Sequence, residues 1–281
     1  MRELENVLEN WSNLLKSLRK TMVSRGFLEV STANLVPAGA FEAAIDTFKV
    51  SIGSETWELH SSPEFEMKYL VSETKRSLFQ ITKCYREDPI ETGVHLREFT
   101  MLEFYRVGGT YRDVLEDTKA IFENAAGATL PFREITAEEA LKNTTGFTFD
   151  TLPVEKSDTW EDAFFKALIE KIEPSFPHEI PTIFIDYPGA LCALGKLSKD
   201  RRTTERFEIF WKGMELCNGC TELADSAELE NRYHIESASR RRMGKAPHPY
   251  PNRLSEAFSR GLPDCAGVAI GVDRLFWALH R

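Results

Sequence analysis

No stretch of this chain is apolar over enough length to cross a bilayer. Its first ten residues, MRELENVLEN, are acidic where a secretory leader is basic and then apolar. Membrane and secreted classes are set aside, and the expectation is a cytoplasmic protein. Cysteine is scarce and odd in number, five scattered residues, which excludes a disulfide framework and fits reduced thiols. The six histidines form no HExxH or similar cluster, so no zinc hydrolase is legible. Neither GxxxxGK(S/T) nor a strand-linked GxGxxG occurs, which removes P-loop phosphoryl transfer and dinucleotide binding. Positive charge is also in deficit. Lys and Arg number 35 against 44 Asp and Glu, a net charge of −9, unlike a protein whose main partner is nucleic acid.

What is present is core material. Apolar residues make up 42% of 281 positions and include 19 Phe, enough for one large domain and too much for disorder. Leu4, Val7, Leu8, Trp11, Leu14, Leu15, Leu18 and Met22 follow helical spacing, and Gly26 suits the left-handed end of that helix. A short strand is expected over 27–30. Ser62 and Pro63 offer an N-cap and a first-turn proline for a helix reaching about residue 71. Further helices are expected over 111–124, 137–143, 158–172 and 225–243, the last closing on Arg240, Arg241 and Arg242. Strands 207–211 and 214–217 flank Lys212-Gly213 as an antiparallel pair. Strands cluster without regular alternation with helices, which predicts an α+β fold: a mostly antiparallel sheet flanked by helices. We expect a single domain over 1–281, with 127–181 as a helical insertion.

Two arginines carry the chemistry. Arg86 lies in FQITKCYRED and Arg274 in GVAIGVDRLFWAL. Arginines from separate strands suit a bent triphosphate, one at the phosphate under attack and one at the departing pyrophosphate. That predicts adenylate formation. Phe99 is placed to stack a purine, and Glu103 and Tyr105 alternate with Phe104, so they leave one strand face together. A surface hairpin with a salt-bridged arginine is the plainer alternative. Glu215, Asn218 and Glu222 in MELCNGCTEL suit Mg²⁺ and a substrate ammonium. Their spacing is not strict alternation, so convergence requires a strand break at Asn218-Gly219; an edge strand with exposed acids is the alternative. Cys217 and Cys220 read as packing thiols, since zinc needs four ligands and no second pair is spaced for it. His95 is either a phosphate or adenine contact or a plain loop residue. Lys196, Lys199, Arg201, Arg202 and Arg206 read first as a solvated loop.

Four blocks stand in a telling order: SSPEFEMKYL, FQITKCYRED with EFTMLEFYR, ERFEIFWKGMELCNGCTELAD, and GLPDCAGVAIGVDR. Together they resemble the class II aminoacyl-tRNA synthetases of the lysyl branch over essentially the whole chain. The resemblance implies a six- or seven-stranded antiparallel core and a homodimer formed through the helix before Gly26 and the strand at 27–30. It implies that Arg86 contacts the α-phosphate and carboxylate, that Asp88 and His95 lie in the ATP loop, and that Phe99 stacks adenine. Arg274 then meets the γ-phosphate and Glu64 lies near the substrate amino group. Glu103, Tyr105 and Glu222 read the far ammonium, and Asn218 the carboxylate. Glu215 and Glu222 match metal ligands, so ATP and Mg²⁺ are implied. The physics agrees, because a buried ammonium needs carboxylates around it.

Lysyl-tRNA synthetases also carry an N-terminal anticodon-binding barrel, whereas here the first catalytic helix starts almost at once. The chain therefore resembles the truncated paralogue family that attaches (R)-β-lysine, or lysine, to a lysine side chain of elongation factor P. The expectation is no anticodon-binding domain, no tRNA and no membrane. Ser62 and Ala269 match that paralogue, where the synthetases have Ala and Gly; reshaping a pocket this way shifts selectivity by about 1–3 kcal/mol. The chain departs from the synthetase pattern at Ala33, Arg86-Glu87-Asp88 and His95-Leu96-Arg97-Glu98. Rival readings are a tRNA-charging enzyme and a non-catalytic synthetase-like regulatory subunit.

Overall fold

Leu14, Leu18 and Met22 recur every four residues, and in the computed structural model they form the buried stripe of α1 (Arg2–Ser24). The structure describes residues 2–87, 95–155 and 159–280. Gly26, at φ +88, turns the chain out of α1. It enters β1 (Leu28–Glu29), shorter than the strand expected over 27–30, although Val30 still donates to Phe79 O at 2.9 Å. Strands β2 (Leu35–Val36), β3 (Lys49–Ile52) and β4 (Glu55–Leu59) form a small separate sheet in the order β2-β4-β3. Helix α2 (Glu64–Thr74) follows, then β5 (Leu78–Tyr85), β6 (Glu98–Val107) and α3 (Tyr111–Ala126).

The next segment supplies β7 (Arg133–Thr136), α4 (Ala137–Thr145) and α5 (Trp160–Ala167). Thr159 caps α5 by accepting from Asp162 N. The α-helix expected through residue 172 instead widens into a π-type turn at Leu168–Ile172 and tightens at Glu173–Ser175, where Pro174 removes a donor. After it come β8 (Thr182–Pro188), β9 (Thr203–Trp211), β10 (Met214–Thr221), α6 (Ser226–Arg242), α7 (Asn252–Ser259), β11 (Cys265–Gly271) and α8 (Val272–His280).

Among the described residues the main sheet has eight strands, in the order β1-β5-β6-β11-β10-β9-β8-β7. Its interior pairs are antiparallel, and only the outermost pairs, β1 with β5 and β7 with β8, are parallel. This is the expected α+β architecture, with more strands than the six or seven anticipated. A two-residue edge strand and a four-residue charged one, REIT, carry too little pattern to read from sequence.

Alternation along the strands sorts the two faces. Phe79, Leu102, Phe104, Val268, Ile270, Phe207 and Ile209 point one way and pack with Leu14, Leu18, Ile121 and Leu275 of α1, α3 and α8. The residues between them, including Glu103, Tyr105, Ala269, Asn218, Arg206 and Glu208, point the other way. Around that polar face, Phe65, Met67, Leu254, Phe258, Leu194 and Leu223 form a second apolar cluster that walls it. Among the described residues, no helix is long and apolar enough to cross a membrane.

Candidate active site

Cross-strand register builds the floor. Gln80, Glu103, Ala269, Asn218 and Glu208 are direct neighbours on five adjacent strands from β5 to β9. The next row on the same face is Leu78, Tyr105, Gly267, Cys220 and Arg206. A lone acid on an edge strand would sit in water; these sit in the middle of a covered sheet.

At the Tyr105 end, carboxylates dominate. Glu103 is 2% exposed and accepts from Ser62 Oγ at 2.5 Å and from the Tyr105 hydroxyl at 2.6 Å. Both donors are neutral, and among the described residues no cation is in direct contact with its charge. Burial, followed by the nearby Glu64 charge, pushes its pKa up to about 8. Ser62 sits two residues before α2, with Pro63 between them in the cap position; its Oγ accepts from Glu64 N at 3.0 Å while donating to Glu103.

Lys68, one turn along α2, is fully buried. Its Nζ lies 2.6 Å from Glu64 Oε1 and 2.6 Å from Glu222 Oε2. Burial alone opposes the charge on Lys68, but the Glu222 and Glu64 carboxylates override it and hold its pKa well above the ordinary lysine value. Glu222 itself is raised to about 7, because burial outweighs the lysine beside it. Gly267 makes this packing possible: a Cβ there would lie 2.5 Å from Glu222 Oε1 and 2.5 Å from Tyr105 Cε1.

At the opposite end of the strands lie the arginines. Arg86 leaves β5 with its N–H on Arg97 O at 3.0 Å, and its guanidinium sits 5.4 Å from the Phe99 ring centroid. Its Nε is buried and, among the described residues, has no hydrogen-bond partner. It lines a small cleft shared with Glu42, Ser62 and Glu64. Arg274, in the first turn of α8, donates from Nη1 to Glu215 O at 2.8 Å and lies 3.7 Å from Glu215 Oε2. Asp273 pins that turn to β6 by accepting from Thr100 N at 2.5 Å. Because β5 ends, β6 begins, β11 ends and β10 begins at this edge, Arg86, Phe99, Arg274 and Glu215 share one end of the floor. His95 is exposed in the loop, and Asp88 lies outside the described residues.

Two expectations about β10 are corrected. The strand does break, but at a bulge between Glu215 and Cys217, not at Asn218-Gly219. Leu216 and Cys217 both turn to the apolar core, and that extra residue brings Glu215 onto the face shared by Asn218, Cys220 and Glu222. The same strand keeps Glu215 and Glu222 apart, by roughly 20 Å at the usual rise per residue. One Mg²⁺, with oxygen ligands about 2.1 Å away, cannot touch both, and Glu222 is already committed to Lys68. Glu215 remains as the accessible carboxylate. Among the described residues no group of three or more His, Cys, Asp or Glu is arranged to hold a metal. That donor set fits a magnesium ion bound mainly through phosphate oxygens with one or two carboxylates, and not a protein cage. Cys217 and Cys220 lie on opposite faces and are free thiols, which leaves the packing role.

Sequence reasoning missed several groups at the site. Lys68 forms an i,i+4 pair with Glu64 that reads as an exposed helix pair, yet it falls on the stripe of Phe65 and Ser72, both buried. Arg206, grouped with the loop cations, is on β9 beneath the site; Lys196, Lys199, Arg201 and Arg202 are the exposed ones. Glu208 and Tyr187 pair with one another beside it. Glu42 enters from the loop between β2 and β3. Burial and the Glu64 charge raise its pKa, while Arg86 and Arg206 act in the opposite sense.

A family model described as tRNA synthetases class II (D, K and N) matches residues 1–281. Among curated relatives, the elongation factor P–(R)-β-lysine ligase homolog of Aquifex aeolicus (strain VF5) is 34% identical over 296 residues, covering 96% of this chain and 94% of that protein. The elongation factor P–(R)-β-lysine ligase of Vibrio atlanticus (strain LGP32) is 31% identical, covering 95% and 90%. That of Vibrio cholerae (strain ATCC 39315) is 31% identical, covering 95% and 89%.

Proposed function

From the premise that the chain belongs to the class II tRNA synthetases of the D, K and N group, we propose an ATP-dependent ligase that joins (R)-β-lysine, or lysine, to a lysine side chain of elongation factor P. The observation that carries the substrate is Glu103, a buried carboxylate held by two hydroxyls with, among the described residues, no cation against it. With Glu64 and Glu222 there are three carboxylates at this end against one ammonium, Lys68. When all are ionised, two negative charges are left over, which suits a substrate carrying two ammonium groups.

In the first step a carboxylate oxygen of the amino acid attacks the α-phosphorus of ATP. The bond to the bridging β-phosphate oxygen breaks, and pyrophosphate leaves toward Arg274. Arg86 stabilises the charge on the α-phosphate, Phe99 stacks adenine, and Asn218 donates to the substrate carboxylate. Glu103 and Tyr105 receive an ammonium, with Glu222 and Glu64 oriented beside them by Lys68. Ser62 and Ala269 shape the pocket around the amino group that β-lysine carries one carbon further along. Mg²⁺ held at Glu215 would offset the negative charge of the triphosphate. In the second step the neutral ε-amine of the acceptor lysine attacks the carbonyl carbon; the bond to AMP breaks, and the amine loses its proton.

The protein acts in the cytoplasm as one catalytic domain, with 127–181 as an insertion, and without tRNA; its net charge of −9 is consistent with that. It works as a homodimer whose contact covers Leu4, Val7 and Leu8, exposed on α1. ATP–pyrophosphate exchange that depends on (R)-β-lysine tests the first step, and a gain of one lysyl mass on elongation factor P tests the second. Exchange with α-lysine alone rejects the selectivity, and no exchange with either rejects the reading.

A further inference from the structure

Asn218, assigned above to the substrate carboxylate, is the last member of a chain of polar side chains running in from β8. The Tyr187 hydroxyl donates to Glu208 Oε2, and both residues are buried. Arg206 Nη2 donates to Glu208 Oε1 at 2.5 Å, Nη1 to Leu191 O at 3.2 Å, and Nε to Asn218 Oδ1 at 3.1 Å. The guanidinium also lies 4.3 Å from the Tyr187 ring centroid. Its three nitrogens are all engaged, so it is fixed on every side.

An asparagine amide can present either its oxygen or its NH₂ to a pocket. A guanidinium has donors and no acceptor. Of the Asn218 amide, Arg206 therefore binds only the oxygen, and the NH₂ is left facing away from it. Among the described residues that NH₂ meets no protein acceptor. A carboxylate offers only acceptors, so an NH₂ is the end of the amide that it needs.

We propose that Arg206 is a positioning residue for activation, which fixes Asn218 with its NH₂ toward the substrate carboxylate, and that Glu208 and Tyr187 hold Arg206 in register. This rests on the adenylate-forming reading. Turned over, the same amide would set its oxygen against the carboxylate and repel it. The group that recognises the substrate is thus oriented from the neighbouring strand, which is itself held from β8.

The test compares binding of (R)-β-lysine with binding of its decarboxylated diamine, pentane-1,4-diamine, by calorimetry. The wild type is expected to favour the amino acid. R206K keeps the charge beside Glu208 but lacks the Nε donor, and it loses about tenfold of that preference while binding the diamine as before. N218D is near-isosteric and still accepts from Arg206 but has no NH₂; it loses the preference too and serves if R206K does not fold. In an N218A background R206K adds nothing further, as residues acting through one another require. A carboxylate preference unchanged in R206K, or an R206K effect that persists in full beside N218A, overturns the proposal and leaves the ligase reading standing. Wild-type protein that binds neither compound overturns both.

Discussion

Lys68 of α2 and Glu222, which follows β10, form a 2.6 Å ion pair in which the lysine is 0% exposed. Helix and strand are thereby joined at the wall of the site by two charges whose side chains are buried. Removing one partner of such a pair leaves the other buried and uncompensated, at a typical cost of 3–5 kcal/mol. We expect K68M to lose stability on that scale in urea unfolding at neutral pH. K68M combined with E222Q recovers part of it, because the more deeply buried carboxylate is then neutral while Glu64, the other partner of Lys68, keeps its charge but is partly exposed. Additive losses in the double variant would show that the pair is not the source.

The pH response follows from Glu103. Its pKa is raised from 4.5 to about 8 in the folded chain, so between those values the folded state holds a proton that the unfolded state has released. Its contribution to stability is therefore complete below pH 4.5 and is lost as pH rises through 8. Glu222, raised to about 7, acts in the same direction. An ammonium in the pocket reverses this by favouring the ionised carboxylates. The melting temperature of the free protein is expected to fall between about pH 6 and pH 8.5, and the stabilisation by β-lysine to grow over that interval. E103Q flattens the free-protein slope. An unchanged slope in E103Q would place the titration elsewhere.

Glu103 and Tyr105 were legible in sequence because alternation is local, and strand register then carried them to one face with Ala269 and Asn218. Arg86 and Arg274 were legible as members of blocks. The bulge at Leu216 was not, since nothing in MELCNGC marks it: the visible weak point is Asn218-Gly219, yet the ladder is regular there. Lys68 and Arg206 were hidden for a different reason. A lysine four residues from a glutamate, or an arginine among arginines, defaults to solvent, and only the third dimension shows that both lie under a wall of side chains. Charge burial is a tertiary fact, written by which strands neighbour one another.

Gly267 provides a steric test of the same wall. It occupies the middle of β11, where any Cβ would fall 2.5 Å from both the Glu222 carboxylate and the Tyr105 ring. Neither can retreat freely, since Glu222 is held by Lys68 and Tyr105 by Glu103. G267A is expected to cost about 1–3 kcal/mol through overpacking, and to raise the KM for the amino acid far more than that for ATP. Equal effects on both KM values would mean that the whole sheet, and not the ammonium pocket, had moved.

Ser62 and Ala269 approach Glu103 from two sides, one as a 2.5 Å hydroxyl donor and the other as its cross-strand neighbour. S62A removes one of the two hydroxyl donors that hold this carboxylate, and A269G opens the floor by one methyl beside it. If these side chains set where the substrate amino group sits, the pair together favours α-lysine, whose amino group is one carbon nearer the carboxylate. Pocket changes of this size shift discrimination by about 1–3 kcal/mol, or 10- to 200-fold. The measurement is the ratio of kcat/KM for (R)-β-lysine to that for lysine in pyrophosphate exchange. It should fall in S62A/A269G while kcat/KM for lysine rises. A fall in both would show that the hydroxyl serves Glu103 alone, by stabilising its ionised form, and that selectivity is decided elsewhere in the pocket.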